Sequence, residues 1–195
     1  MKFFSESKNL FELTKQFVNL EYLPRTGFAM SHIENAQSLA EHSFGVCIWT
    51  LLLMENMPNY EIDKFKVMAM AVLHEAAETK MGDIPYPAKC LLGEKTTSKA
   101  ESLATSNLFC ELPNWCEFWK EFEERNSLEA RIVNAADKLE MMHRILCYEA
   151  TGKKFDELFW TTPANFYDGE ISEAKNLYDK LIDKHNELIN KPTRE

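Results

Sequence analysis

The chain has 195 residues, of which 45% are hydrophobic, and its formal net charge at pH 7 is −9. This length and composition fit one ordinary domain, and the lack of a long apolar run or a signal-peptide core predicts a cytoplasmic protein with no membrane partner. Because the lysines and arginines are scattered among an excess of acids, we expect no surface for a nucleic-acid polymer, although one local cation would suffice for a small anion.

Helical periodicity runs along the whole chain, and glycine and β-branched runs are scarce, so the expected fold class is all-α with no sheet. In chain order, the predicted helices cover about residues 8–21, 38–57, 62–80, 97–111, 114–124, 127–150 and 168–190. Ser38 followed three residues later by Glu41 is a capping-box pattern, which marks the start of the second helix. No segment has the composition of an interdomain linker.

Three of the predicted core helices carry side chains that could bind a metal ion. The segment 67–73 is apolar on every face and ends in a His-Glu doublet, His74 and Glu75. His42 lies on a helix that is apolar nearly all round, and Asp137 lies on the core-facing stripe of a third helix. Since burying an unpaired carboxylate costs several kcal/mol, these groups need partners, and a metal ion is the simplest one.

Taken singly, each of these groups has an alternative interpretation. His42 could be a core histidine with its hydrogen bonds satisfied. Asp137 could pair with a nearby arginine such as Arg131 or Arg144, and the doublet could lie at a helix end that emerges into water. Only the combination of the three helices favours a metal site.

The order of five short segments resembles the HD superfamily of metal-dependent phosphohydrolases, and more closely its YfbR-like 5'-deoxynucleotidases. These segments are Pro24-Arg25-Thr26-Gly27-Phe28, Ser38-Leu39-Ala40-Glu41-His42-Ser43, Leu73-His74-Glu75-Ala76-Ala77-Glu78, Gly82-Asp83-Ile84-Pro85 and Ala135-Ala136-Asp137-Lys138-Leu139. The resemblance implies a single HD-domain helical bundle over residues 1–195, with a core at about 8–160 and a C-terminal helical extension at about 166–190.

The resemblance implies a metal site formed by His42, His74, Glu75 and Asp137, in which Glu75 stands where the family has aspartate. Two imidazoles and two carboxylates suit one divalent transition metal ion, such as cobalt, manganese, iron, nickel or zinc, better than magnesium. In a six-coordinate ion, two positions stay open for a phosphate oxygen and a water. The extra methylene of Glu75 shifts its oxygens by about one bond length, which can alter the choice of metal.

The resemblance also implies catalytic and substrate-binding residues. Glu78, one helical turn after His74, would act as general acid/base, Asp83 would orient water or protonate the leaving oxygen, and Arg25 would hold the phosphate. The implied substrate wall consists of Phe28, where relatives commonly carry tryptophan, Ile84, Pro85 and Tyr86. The expected substrate is a (deoxy)nucleoside 5'-monophosphate, and the expected assembly is a homodimer.

Two alternatives stay open at the level of sequence. A two-metal HD phosphodiesterase or oxygenase would draw further histidines from the segment between the doublet and Asp137, yet residues 76–136 contain none. A nucleotide-binding HD protein with weak or no turnover is the other alternative, and the Glu75 departure makes it credible.

Overall fold

A computed structural model of the protein describes residues 7–190. The regular structure of these residues is helical apart from one isolated antiparallel bridge between Pro24 and Ser38, so the all-α prediction is confirmed. The α-helices are, in chain order, α1 (Ser7–Tyr22), α2 (Thr26–Met30), α3 (Leu39–Glu55), α4 (Lys64–Leu73), α5 (Glu78–Met81), α6 (Tyr86–Leu92), α7 (Glu94–Leu108), α8 (Pro113–Glu124), α9 (Leu128–Ala150), α10 (Leu158–Thr161) and α11 (Ser172–Ile189), and a 3₁₀ turn covers Pro163–Phe166. Within residues 7–190, no helix combines the length and the apolar composition needed to cross a membrane.

The chain divides into two compact units by its internal contacts. Among the described residues, the first unit contains 7–43 together with Leu73–Lys120, and the second contains Phe44–Val72 together with 121–190. Helix α3 begins in the first unit and continues into the second. The expectation of a single domain over residues 1–195 stays a prediction.

The first unit is built on an apolar core beside the His-Glu doublet. Its buried members are Leu73, Ala76, Ala77, Phe109 and Trp119, and partly buried side chains from α1 pack against them. The backbone on both sides of the doublet is therefore anchored in this core, which fixes where the two polar side chains start.

The bridge between Pro24 and Ser38 closes a loop in the first unit. The backbone N–H of Arg25 donates to the carbonyl of Gln37 at 2.8 Å, and that of Leu39 donates to the carbonyl of Leu23 at 2.8 Å. These two bonds hold the segment that carries Arg25 against the first turn of α3.

The capping box predicted at Ser38 is confirmed. The Ser38 N–H donates to Oε2 of Glu41 at 2.7 Å, and the Glu41 N–H donates to Oγ of Ser38 at 3.2 Å. Because both bonds satisfy amides at the start of α3, the position of His42, one residue later, is fixed by local sequence.

In the second unit, Tyr178 connects α11 to the buried helix α9. Its hydroxyl lies 3.2 Å from the carbonyl of Ala135 and 2.9 Å from that of Tyr167. Burial raises the pKa of Tyr178, and the negative charges of Asp137 and Asp168 raise it further, so the hydroxyl keeps its proton as a donor.

A charged network lies on another part of the second unit. Nζ of Lys66 is 2.8 Å from a carboxylate oxygen of Glu121 and 3.4 Å from one of Glu129. Burial by itself would raise the pKa of Glu121, but hydrogen bonds from Lys66 and Ser127 outweigh it, so the pKa is lowered. The network therefore favours the ionised carboxylate in the folded state.

Helices α3 and α9 approach closely at Gly45 in the second unit. A Cβ atom at this position would lie 2.6 Å from Cγ and 2.7 Å from Oε1 of Glu140, a side chain that is 2% exposed. Only glycine leaves room for the Glu140 side chain there, because real Cβ contacts essentially never fall below 3.0 Å.

One predicted helix end was wrong, and other bounds differ from the structure by three or four residues, which is within the uncertainty of the prediction. The helix expected over 62–80 ends at Leu73, the one expected over 97–111 covers Glu94–Leu108, and the one expected from 168 begins at Ser172. The short helices α2, α6 and α10 were not predicted. Each is at most seven residues long, too short for an apolar period to be visible.

Candidate metal centre

The doublet follows the end of α4 and lies in a pair of tight turns. The N–H of Ala76 donates to the carbonyl of Leu73 at 2.9 Å, and that of Glu78 donates to the carbonyl of Glu75 at 3.2 Å, so both bonds span three residues rather than four. This tighter winding turns His74 and Glu75 inward, where each is 6% exposed. The alternative of a helix end that emerges into water was therefore wrong.

His42, His74 and Glu75 form one group of possible metal ligands within the first unit, which we call the His-Glu cluster. One ligand atom of each residue lies within 4.8 Å of those of the other two. Oε1 of Glu75 is 3.4 Å from Nε2 of His42 and 3.6 Å from Nε2 of His74, and the two rings meet edge to face with centroids 5.4 Å apart. His42 is fully buried, as predicted from its helix.

Arg25 forms a salt bridge with the same carboxylate. Its Nη1 lies 2.9 Å from Oε1 of Glu75, and both side chains are largely buried, at 17% and 8% exposed. The guanidinium thus places a positive charge beside the oxygen that faces both histidines. A charge-assisted pair of this length stabilises the ionised form of Glu75 inside the unit.

Glu78 lies against the cluster on the first turn of α5. Burial, followed by the charge of Glu75, raises the pKa of Glu78 well above the usual range, and the positive charge of Lys89 opposes this. The assignment of Glu78 as general acid/base stays a prediction.

Lys89 on α6 is a charged neighbour that the sequence did not indicate. Its Nζ is 2.9 Å from a carboxylate oxygen of Glu101 on α7. Burial by itself lowers the pKa of Lys89, but the hydrogen bond to Glu101 and the charges of Glu101, Glu78 and Glu75 outweigh it, so the pKa is raised. A lone lysine after Pro87 has no pattern in the sequence that would single it out.

Asp83 connects the end of α5 to the segment that carries Arg25. Its Oδ2 accepts a hydrogen bond from the Thr26 N–H at 2.6 Å, and its carbonyl accepts one from the Thr26 hydroxyl at 2.8 Å. Gly82 allows the chain to turn after α5 so that Asp83 reaches Thr26, since the backbone angles of Gly82, φ 71° and ψ 171°, are accessible almost only to glycine. Asp83 therefore holds the Arg25 segment through Thr26.

Asp137, the fourth ligand expected from the resemblance, lies on α9 in the second unit. It is 9% exposed, and its Oδ2 is 3.0 Å from Nζ of Lys138. Arg131 pairs with Glu170 and Arg144 pairs with Glu140, so each of these arginines has another acid as its partner. The assignment of Asp137 to the metal stays a prediction.

The residues expected to form the substrate wall differ widely in exposure. Phe28 is 2% exposed, Ile84 and Pro85 are half-buried, and Tyr86 is 73% exposed at the start of α6. The ring of Phe28 is therefore inside the fold, and the ring of Tyr86 is open to solvent. Their contact with a substrate stays a prediction.

The donor set of the His-Glu cluster fits a transition metal ion. Two imidazole nitrogens and a carboxylate oxygen, all buried and close together, are the ligands preferred by borderline divalent ions. The Glu75 carboxylate, which already pairs with Arg25, would also give a divalent cation an oxygen ligand.

Comparison with known proteins places this geometry in context. A family model described as an HD domain matches residues 18–175. The 5'-deoxynucleotidase HDDC2 of Xenopus laevis is 26% identical over 193 residues, which cover 95% of this chain and 92% of that protein. The 5'-deoxynucleotidase hdd1 of Schizosaccharomyces pombe is 31% identical over 137 residues, or 67% of each chain. The crystal structure of a Pyrococcus horikoshii protein is similar with a TM-score of 0.74 and 32% identity, covering 90% of this chain and 98% of that one.

Proposed function

The chain belongs to the HD domain family, and from this membership we propose that it is a metal-dependent phosphohydrolase that releases phosphate from (deoxy)nucleoside 5'-monophosphates. The observation that carries the proposal is the buried His-Glu cluster of His42, His74 and Glu75. It is supported by the relatives from X. laevis and S. pombe, which are named 5'-deoxynucleotidases.

We assign His42, His74, Glu75 and Asp137 as the ligands of one divalent transition metal ion, with cobalt, manganese, iron, nickel and zinc as candidates. The geometry of the first three supports this assignment, and the motif around Asp137 supports the fourth. When bound, such an ion polarises a phosphate oxygen and lowers the pKa of a bound water.

The remaining residues act on the phosphate and on protons. Arg25 binds the phosphate oxygens through its guanidinium, which already lies 2.9 Å from Glu75 at the cluster. The water oxygen forms its bond to phosphorus as the bond from phosphorus to O5' breaks. Glu78 takes the proton from the water and passes a proton to O5', so that the nucleoside leaves with a neutral hydroxyl. Asp83 holds Thr26 through Oδ2, and its Oδ1 orients the water.

Substitution of Glu78 by Gln tests the proposal directly. The variant should lose phosphate release from nucleoside monophosphates by at least about 100-fold, while its metal content, measured by elemental analysis, stays that of the wild type. His42→Ala should lose both the phosphate release and the bound metal. Glu94→Gln, an exposed acid on α7, is the matched control and should change neither.

Three results would each contradict part of this assignment. If the metal-loaded wild type releases no phosphate from any ribo- or deoxyribonucleoside monophosphate, the proposed activity is wrong. If Glu78→Gln releases phosphate as fast as the wild type, the proposed activity is kept but the role assigned to Glu78 is wrong. A stoichiometry of two metal ions per chain would favour a two-metal HD enzyme instead.

A nucleotide-binding protein without turnover is the second candidate function. The salt bridge between Arg25 and Glu75 favours it, because it engages the oxygen of Glu75 that faces both histidines. In that case calorimetry would detect nucleotide binding, and the phosphate assay would give nothing above background.

We also propose that the protein forms a homodimer. Helix α3 exposes Phe44, Ile48, Leu51 and Leu52, which recur at the spacing of one helical face and are each more than 40% exposed. An apolar stripe of this kind is typical of a protein contact. Light scattering should give twice the chain mass for the wild type, and the monomer mass for Ile48→Glu.

A further inference from the structure

A cleft in the first unit has Glu78, a sequence neighbour of the His-Glu cluster, in its wall. It has a volume of about 330 Å³ and is bounded by Asn19, Tyr22 and Leu23 around the end of α1 and by residues 78–82, which are α5 and the glycine after it. The Nδ2 group of Asn19 donates to the carbonyl of Thr79 at 3.2 Å and connects the two walls. We refer to it as the Tyr22 cleft. Its volume is at the lower end of the range found for small-molecule sites.

The Tyr22 cleft adjoins the catalytic centre through Glu78. This residue forms part of the cleft wall, and its backbone N–H donates to the carbonyl of Glu75 at 3.2 Å. A molecule with its phosphate at the His-Glu cluster would therefore extend its other end along the cleft. In a nucleotide, that other end is the base.

The chemistry of the cleft suits a flat heterocycle. The ring of Tyr22 is 79% exposed at the rim, Leu23 adds an apolar surface, and the Asn19 amide offers hydrogen-bonding groups. Aromatic rings stack on the faces of bases, and amides pair with their edges. Phe28 is 2% exposed in the same unit, so its ring cannot offer a face to a base unless the chain rearranges.

We propose that the Tyr22 cleft is the nucleobase site of this protein, with Tyr22 as the stacking residue. This rests on the proposed function, since it assumes that the phosphate lies at the His-Glu cluster. Stacking on an aromatic ring tolerates every base, so the site discriminates nucleotides from other phosphomonoesters more than it discriminates one base from another.

The test compares two substrates that share phosphate and sugar but differ in the base. These are deoxyadenosine 5'-monophosphate and deoxyribose 5-phosphate. Tyr22→Ala should lower kcat/KM for the nucleotide by about 10-fold or more and leave that for the sugar phosphate within about twofold, whereas Tyr22→Phe should keep both. The matched control is Tyr60→Ala, which removes another exposed tyrosine ring, in the second unit.

The outcomes separate this inference from the proposed function. A loss confined to the nucleotide supports the base site, and an equal loss for both substrates, or no loss, overturns it. If the wild type hydrolyses neither these substrates nor any other nucleoside monophosphate, the proposed function fails, and calorimetry with deoxyadenosine then tests the base site by itself. Binding that Tyr22→Ala weakens still supports the base site, while undetectable binding or an unchanged affinity overturns it.

Discussion

The salt bridge between Arg25 and Glu75 predicts that stability and metal binding are coupled. Arg25→Met removes the guanidinium and leaves the Glu75 carboxylate, at 8% exposed, without its 2.9 Å partner. Breaking a buried ion pair costs about 3–5 kcal/mol. Because the Arg25 side chain is still 17% exposed, we expect a loss at the lower end of this range. The free energy of unfolding of the metal-free protein should fall by about 3 kcal/mol. For a chain of this size, that lowers Tm by about 6–12 °C.

A bound divalent cation would neutralise the Glu75 carboxylate in place of Arg25. The loss of stability in Arg25→Met should therefore be smaller when metal is present. By linkage, the rise in Tm that metal produces should be larger in Arg25→Met than in the wild type. Thermal unfolding followed by circular dichroism, in chelator-stripped protein with and without manganese, measures both quantities.

The matched control is Arg131→Met, which breaks a pair of similar length at the surface. Nη1 of Arg131 is 3.1 Å from Glu170, whose side chain is 89% exposed, so this pair should contribute at most about 1 kcal/mol and respond to no metal. The reasoning is refuted if both variants lose the same stability without metal, or if manganese raises Tm equally in Arg25→Met and the wild type.

Three further predictions concern the second unit. Gly45→Ala forces the buried side chain of Glu140 to shift, so urea unfolding should show a loss of about 1–2 kcal/mol, where an ordinary helical glycine would gain stability. Tyr178→Phe removes a buried donor from two carbonyls and should cost about 1–2 kcal/mol in the same assay; an unchanged midpoint would contradict this. The lowered pKa of Glu121 contributes stability at neutral pH that is lost as pH falls through its folded pKa, so Lys66→Met should be less stable at pH 7 and should lose less between pH 7 and pH 3.

The sequence was most informative where local chemistry decides the structure. The capping box at Ser38 fixes the start of α3, and the apolar surroundings of His42 on that helix correctly predicted that its side chain is buried. The apolar run before His74 predicted a core helix but left open whether the doublet after it emerges into water, and the burial of both side chains rules this out. Each of these inferences depends only on residues within a few positions of one another.

The sequence did not predict the features that are determined by contacts beyond the local segment. The helix expected through residue 80 ends at Leu73, because the tight turns that aim His74 and Glu75 at the cluster depend on packing around residues 76 and 77. The contact of Lys89 with Glu101 joins two consecutive helices, α6 and α7, across 12 residues. No local period records such contacts.

The loop closed by the bridge between Pro24 and Ser38 offers a site for insertion at its tip. Both ends of the loop are held by hydrogen bonds of 2.8 Å, and its tip at Glu34 and Asn35 is exposed. Lengthening the tip adds only a small entropic cost, since loop closure depends weakly on length. A reporter peptide or a binding epitope inserted between Glu34 and Asn35 would thus leave Arg25 and the start of α3 in register, which offers a position for tagging the protein.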